Sequence, residues 1–144
     1  MSENTKSGHV VWEGQGLAFR AIGGSGYQIR FDSPANPNGG SPMELVALAS
    51  AGCTASDVIS ILQKKQQKVT EFEVNVVGLR AADHPKVFAE IELEYVVTGQ
   101  SIDPNAVERA IELSLTRYCS VNQMLANTVK ISHRYRIVEV EPVA

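Results

Sequence analysis

The chain has 144 residues, 44% of them hydrophobic and 20% charged, with 16 acidic against 13 basic side chains and a net charge of -3. That length reads as one domain, residues 1–144, able to bury a core without disulfide or metal staples. The slight acidic excess, with its densest basic stretch only Lys64, Lys65 and Lys68 at a helix end, excludes the clustered positive charge that nucleic acids and anionic membranes require.

Along the chain, residues 1–9 are polar and lack the apolar core of a secretion signal. No window approaches the ~18 apolar residues expected of a membrane-spanning helix. A cytoplasmic location is therefore expected, in which the two cysteines, Cys53 and Cys119, rest as reduced thiols. Residues 9–21 and 27–32 read as two strands, joined as a hairpin through Gly23-Gly24-Ser25-Gly26. Residues 33–40 are a loop, punctuated by Pro34, Pro37 and Gly39-Gly40.

Ser41-Pro42-Met43-Glu44 opens a helix. Ser41 takes the N-cap, Pro42 the first helical position and Glu44 the third, which is a capping box. The pattern predicts helix to about Gln67, apolar or small on nearly every face from Leu45 to Leu62. Such a helix belongs in an interior. One small domain covers only part of it, so a second subunit is expected to supply the rest. Residues 70–80 and 86–98 then alternate with period two. Phe72, Val74 and Val76 face one way on the first strand, and Val87, Ala89, Ile91, Leu93, Tyr95 and Val97 on the second, with Glu90, Glu92 and Glu94 to water. Residues 81–85 are a hairpin loop.

Asp103-Pro104 caps a second helix reaching about Tyr118, with Val107, Ala110, Ile111 and Leu115 as its apolar stripe. Ser120 caps a short helix carrying Val121, Met124 and Leu125. A last strand spans residues 129–140, with Ile131, His133, Tyr135 and Ile137 on one face. The order ββ-α-ββ-α-α-β predicts an α+β fold with an antiparallel sheet around a long buried helix, not a βαβ crossover fold.

Few residues here can do chemistry. There is no Cys-x-x-Cys, no phosphate loop and no Gly-x-Ser-x-Gly, and His9, His84 and His133 share no metal-binding spacing. No metal and no bound cofactor are expected. Cys53 sits among small residues, Ala51-Gly52-Cys53-Thr54-Ala55-Ser56, where another group can approach its sulfur. It is either a buried small hydrophobe or a reactive thiol. Cys119 precedes a helix start, where unpaired amides and the helix dipole favour a thiolate, unless it too belongs to the core. Asp57 lies one turn beyond Cys53, and an unpaired carboxylate there would raise the thiol pKa.

Ser41-Pro42-Met43-Glu44-Leu45, then Ala51-Gly52-Cys53-Thr54-Ala55-Ser56-Asp57, then Tyr118-Cys119-Ser120-Val121 resemble, in that order, the OsmC/Ohr family, and most closely its YhfA-like branch. The resemblance implies an intertwined homodimer with the cysteine helix at its centre. It implies organic hydroperoxide reduction with Cys53 as the peroxidatic thiol and Cys119 as the resolving one. The oxidised pair would be returned to thiols by a dithiol reductant of lipoyl type. It also implies that Glu44 and an early-strand arginine organise the site. Arg30 is the preferred arginine, with Arg20 the other candidate. Two features depart from the family. No arginine motif matches, and Ser120 stands where a proline usually follows the second cysteine.

Glu44 and Cys53 are nine residues apart, about 13.5 Å along a straight helix and half a turn out of phase. Glu44 can therefore serve Cys53 only if the helix breaks, as at Gly52, or if it comes from a partner chain. Two other functions remain open: a redox-sensing or small-ligand-binding dimer on the same fold, and a structural dimer whose cysteines are only core.

Overall fold

Where the sequence alternates, the chain forms two separate three-stranded sheets, and its most apolar stretch forms one 23-residue helix. A computed structural model describes residues 4–33 and 39–141. Pro34, Pro37 and the rest of the expected loop at 34–38 lie outside the described residues, as do residues 1–3 of the polar N-terminus. The chain folds as two compact units, Met1–Val46 and Ala47–Ala144.

The first unit carries β1 (Gly8–Trp12), β2 (Phe19–Gly23) and β3 (Gln28–Phe31), paired antiparallel in that order. Three strands replace the two expected, because residues 13–18 turn the chain back. Glu13 N–H donates to the Ala18 carbonyl at 2.9 Å. Gly14 and Gly16 hold positive φ angles of 88° and 52°, which side chains resist. The hairpin at Gly23–Tyr27 forms as expected, closed by Gly23 N–H to Tyr27 O at 2.9 Å.

Helix α1 spans Pro42–Lys64 without interruption. Its capping box is made as the sequence predicts. Ser41 N–H donates to Glu44 Oε2 at 2.8 Å, and Glu44 N–H to Ser41 Oγ at 3.1 Å. The helix stops short of Gln67 because Gln66 adopts φ 57°, a left-handed turn that ends the repeat. By length and composition α1 could cross a membrane, with a mean hydropathy of 1.8 over 18 residues, contrary to expectation. Its Leu, Val, Ile, Met, Cys and Ala residues set that mean, and the Gly, Ser and Thr residues between them lower it and interrupt the large apolar surface. A core helix passes the same test, and here the buried stripe of α1 carries hydrogen-bonded polar groups.

The second unit is built on β4 (Lys68–Arg80), β5 (Phe88–Gln100) and β6 (Lys130–Glu139), with β5 central. β4 and β5 are antiparallel, in a register that aligns Val74 with Tyr95 and Val76 with Leu93. β6 runs parallel to β5, setting Tyr135 beside Tyr95 and Ile137 beside Val97. The α+β class holds, but the sheet is mixed. The segment between β5 and β6 is a β-to-β crossover through helices, a connection the sequence reading had excluded. Ile91, Leu93, Tyr95 and Val97 are fully buried, as their alternation requires. At the strand's start a register shift between Leu79 and Arg80 turns Phe88 inward and leaves Val87 exposed, against expectation. His133 is exposed, with its ring edge-on to Tyr95 at 6.5 Å.

The crossover holds α2 (Pro104–Leu113), a π-helical turn (Ser114–Tyr118) and α3 (Ser120–Leu125). Asp103 caps α2 through its carboxylate, which accepts from Asn105 N–H at 2.9 Å. Val107, Ala110 and Ile111 are buried, and Tyr135 on β6 donates to Glu108 on α2 at 2.6 Å, so α2 lies over the apolar face of the sheet. From α1, Ser50, Ala51, Thr54, Val58 and Leu62 are buried, a stripe with helical spacing, while Leu48 is 61% exposed. One chain therefore covers one stripe of α1.

Leu62 is fully buried among these elements. Leu62→Ala is expected to cost about 2–5 kcal/mol of stability. Its urea midpoint should fall while the denaturant slope stays unchanged.

Candidate functional site

Ser50, Cys53, Thr54 and Asp57 recur every three or four residues on α1, so all four project from one side of it. They meet the segment from Ser114 to Asn122, where the chain leaves α2 through the π-helical turn. That turn is closed by Cys119 N–H donating to Ser114 O at 2.8 Å. Such a turn inserts one residue into a helix, and here it re-aims the backbone just before Cys119.

Two hydrogen-bonded clusters tie the elements together. In the first, Tyr95 Oη lies 2.8 Å from Thr54 Oγ1, Thr54 Oγ1 lies 2.7 Å from Ser114 Oγ, and Ser114 donates to Asp57 Oδ2 at 2.9 Å. Each hydroxyl owns one proton, and an ionised carboxylate only accepts. Ser114 gives its proton to Asp57, so Thr54 donates to Ser114 and Tyr95 donates to Thr54. The row has one direction. Burial pushes the Tyr95 phenol up to about 12, which keeps that donor protonated. Asp57 is thus hydrogen-bonded through Ser114, a neutral partner that orients the carboxylate without balancing its charge.

In the second cluster, Asn122 is the centre. Its Oδ1 accepts from Ser50 Oγ at 2.5 Å, and its Nδ2 donates to Ser50 O at 3.2 Å and to Cys119 Sγ at 3.1 Å. Asn122 is 2% exposed and Ser50 is fully buried. Among the described residues no buried side-chain nitrogen or oxygen lacks a partner.

The two cysteines are free thiols in unequal surroundings. Cys119 is fully buried, whereas Cys53 is half-buried and its Sγ lies 4.0 Å from Ser120 Oγ. Burial first, then the hydrogen bond with Cys53, push the Cys119 thiol up to about 11. The thiolate expected there from the helix start is overruled. α3 has only six residues, and loss of hydration outweighs its amides. The structure thus brings Cys53 and Cys119 into one cluster.

Glu44 and Arg30 belong to the first unit. Glu44 is held in the capping box, and because α1 is unbroken through Gly52, it does not reach Cys53 of its own helix. Arg30 makes a fork with Glu13, Nε to Oε1 at 3.1 Å and Nη2 to Oε2 at 2.6 Å, which holds its guanidinium still more firmly protonated. Arg20 pairs in register with Arg30 across β2 and β3. Among the described residues no group of three His, Cys, Asp or Glu side chains could hold a metal.

Sequence reasoning missed Ser50, Thr54, Tyr95, Ser114 and Asn122. The available signal was the run of small hydroxyl residues on a helix otherwise apolar, since buried hydroxyls need partners.

The family model described as OsmC-like protein matches residues 35–134. Protein YhfA of Escherichia coli strain K12 is 43% identical over 129 residues, covering 90% of this chain and 96% of that protein. A crystal structure of a protein from Aquifex aeolicus VF5 superposes with a TM-score of 0.86 at 28% identity, over 96% of this chain and 99% of that one. OhrB, an organic hydroperoxide resistance protein of Bacillus subtilis, has the same fold at 16% identity, with a TM-score of 0.64 over 94% of this chain and 100% of that one.

Thr54→Val keeps the shape of the side chain but leaves Tyr95 and Ser114 without their shared hydroxyl. It is expected to cost about 1–3 kcal/mol, measured by urea unfolding.

A second prediction concerns pH. Below the ordinary thiol value of 9.0, Cys119 is protonated whether the chain is folded or not. Above it, the unfolded chain loses this proton while the folded chain keeps it up to about 11. Stability is therefore expected to fall steadily across pH 9–11, as urea midpoints taken under reducing conditions would register.

Proposed function

The chain belongs to the OsmC-like family, and from that premise we propose that it reduces organic hydroperoxides through its two thiols, in defence against oxidative stress. The observation that carries this reading is the unequal pair: a half-buried Cys53 beside a fully buried Cys119. The more accessible sulfur meets a small peroxide first. The sealed one is shielded from solvent oxidants and waits for its neighbour. Hydroperoxide-resistance proteins such as OhrB share the fold, which supports the same chemistry here.

The steps balance. Cys53 attacks as thiolate on the outer peroxide oxygen, the O–O bond breaks, and the alcohol leaves after taking a proton. Cys53 is then a sulfenic acid. Cys119 sulfur attacks Cys53 sulfur, the S–O bond breaks, and the Cys119 proton leaves with the hydroxide as water. A Cys53–Cys119 disulfide remains, and a dithiol reductant, for which a lipoyl group is the natural class, exchanges it back to thiols. No bound metal or cofactor enters any step.

The working form in this reading is a homodimer. It covers the parts of α1 that a single chain leaves open, including Leu48, and brings Glu44 from the partner subunit to the thiols. Arg30 holds the site's positive charge once released from Glu13. Residues 1–144 act as one domain, supported by a family match that runs across both compact units. A reducing compartment, the cytoplasm, suits two free thiols. The raised Cys119 thiol favours one alternative, a slowly oxidising redox sensor on the same fold.

Stoichiometric cumene hydroperoxide should remove two free thiols per chain within seconds to minutes, as counted by mass spectrometry of the alkylated protein. Cys53→Ser should abolish turnover. Cys119→Ser should leave Cys53 over-oxidised to sulfinic acid. Retention of both thiols by the unsubstituted protein would end the peroxidase reading.

A further inference from the structure

Among the described residues, Asn122 is the almost wholly buried polar side chain that donates to Cys119 sulfur. Its orientation is forced. The Ser50 carbonyl can only accept, and it lies 3.2 Å from the Asn122 amide nitrogen. Turning the amide over would set oxygen against that carbonyl oxygen. Ser50 Oγ holds the other end, donating to Oδ1 at 2.5 Å. One amide hydrogen is thereby committed to Ser50, and the second is aimed at Cys119 sulfur at 3.1 Å.

A sulfur that accepts an N–H keeps its own proton for another direction. It also gains a donor that strengthens as negative charge gathers on it. Charge gathers on Cys119 sulfur at one moment in the sequence above, when it attacks Cys53 and releases its proton to the departing hydroxide. Burial opposes that charge, and a fixed dipole in a dry site is worth more than the same group in water.

We infer that Asn122 is a positioning residue for disulfide formation, holding Cys119 sulfur in line with Cys53 and stabilising the thiolate that develops on it. This inference rests on the proposed roles of the two cysteines. Ser50 acts one step further out, by fixing the amide.

The test separates this inference from the reading it rests on. The folded, reduced protein is treated with dithiobis(nitrobenzoate). Cys53 first forms a mixed disulfide and releases one thionitrobenzoate. Cys119 then attacks Cys53 and releases the second, with no peroxide involved. Asn122→Ala is expected to leave the first phase within about twofold of the unsubstituted protein and to slow the second about tenfold or more. Asn122→Asp preserves the shape but places a carboxylate against the sulfur, and should slow the second phase at least as much. Relative to the unsubstituted protein at the same pH, its rate should recover in part as the pH falls and that carboxylate takes up a proton. With peroxide, both variants should divert Cys53 toward sulfinic acid. A merely structural role would slow both phases or neither, and would give no such pH response.

A folded Asn122→Asp protein with an unaltered second phase overturns the inference and leaves the roles of the cysteines standing. Absence of the first phase, with Cys53 unlabelled, overturns those roles instead. Should both variants fail to fold, the unsubstituted protein decides. One Asn122 side-chain amide proton should move downfield as Cys119 ionises, and an unmoved resonance overturns the inference.

Discussion

The arrangement depends on one constraint: a helix that presents polar groups to a dry interface must have each of them hydrogen-bonded. Ser50, Thr54 and Asp57 on α1 are not answered by other side chains of α1. They are answered by Ser114 and Asn122, 57 to 72 residues later in the chain. These pairings fix both the rotation and the axial position of α1 against the π-helical turn and α3. Purely apolar packing would tolerate a slide of part of a turn. A hydroxyl donating to a particular carboxylate oxygen does not. Cys53 and Cys119 sit between the two sets of hydrogen bonds, so the cysteine pair inherits their precision.

The same constraint explains why the two sulfurs differ. Cys119 follows directly on the π-helical turn, which commits its N–H to Ser114 and carries the residue inward under α1. Cys53 lies mid-helix beside Gly52, which leaves the approach from that side open. One sulfur is placed to be met from outside and the other to be met only from Cys53. Within the chemistry proposed, a sealed second thiol is protected from oxidation in its own right, and having its target already adjacent offsets part of the cost of its high pKa.

Local signals were read where they carry a local mechanism. Ser41-Pro42-Met43-Glu44 specifies a helix start through its own hydrogen bonds, and the structure makes both of them. The alternation in β5 specifies which face is buried. It is silent about strand direction, because a period of two is the same read either way, and so β6 as a parallel neighbour was not legible. The turn at Gly14 and Gly16 was legible in principle, since two glycines two residues apart mark a reversal as plainly as the Gly-rich run at 23–26. Of the two alternatives the sequence leaves open for Cys119, thiolate at a helix start or core thiol, the second prevails for a physical reason. The amides of a helix start act locally, but the desolvation that overrules them comes from elements far away in sequence. Asn122 escaped notice because nothing in Ser120-Val121-Asn122-Gln123 distinguishes a surface amide from a buried one.

Ser120 occupies the place where the family usually has a proline, and its surroundings give that departure a physical meaning. A proline there would fix the backbone φ of the first residue of α3 and remove an N–H. Serine retains the N–H and adds a hydroxyl 4.0 Å from Cys53 sulfur. Rigidity is exchanged for polarity next to the more exposed thiol. In this chain the rigidity is supplied elsewhere, by Asn122 and Ser50 holding α3 to α1 from within. The hydroxyl can turn its single proton toward Cys53 sulfur when that sulfur is charged, and accept when it is protonated. Serine at this position therefore leaves the position of Cys119 specified, while changing the polarity around the more exposed Cys53 thiol.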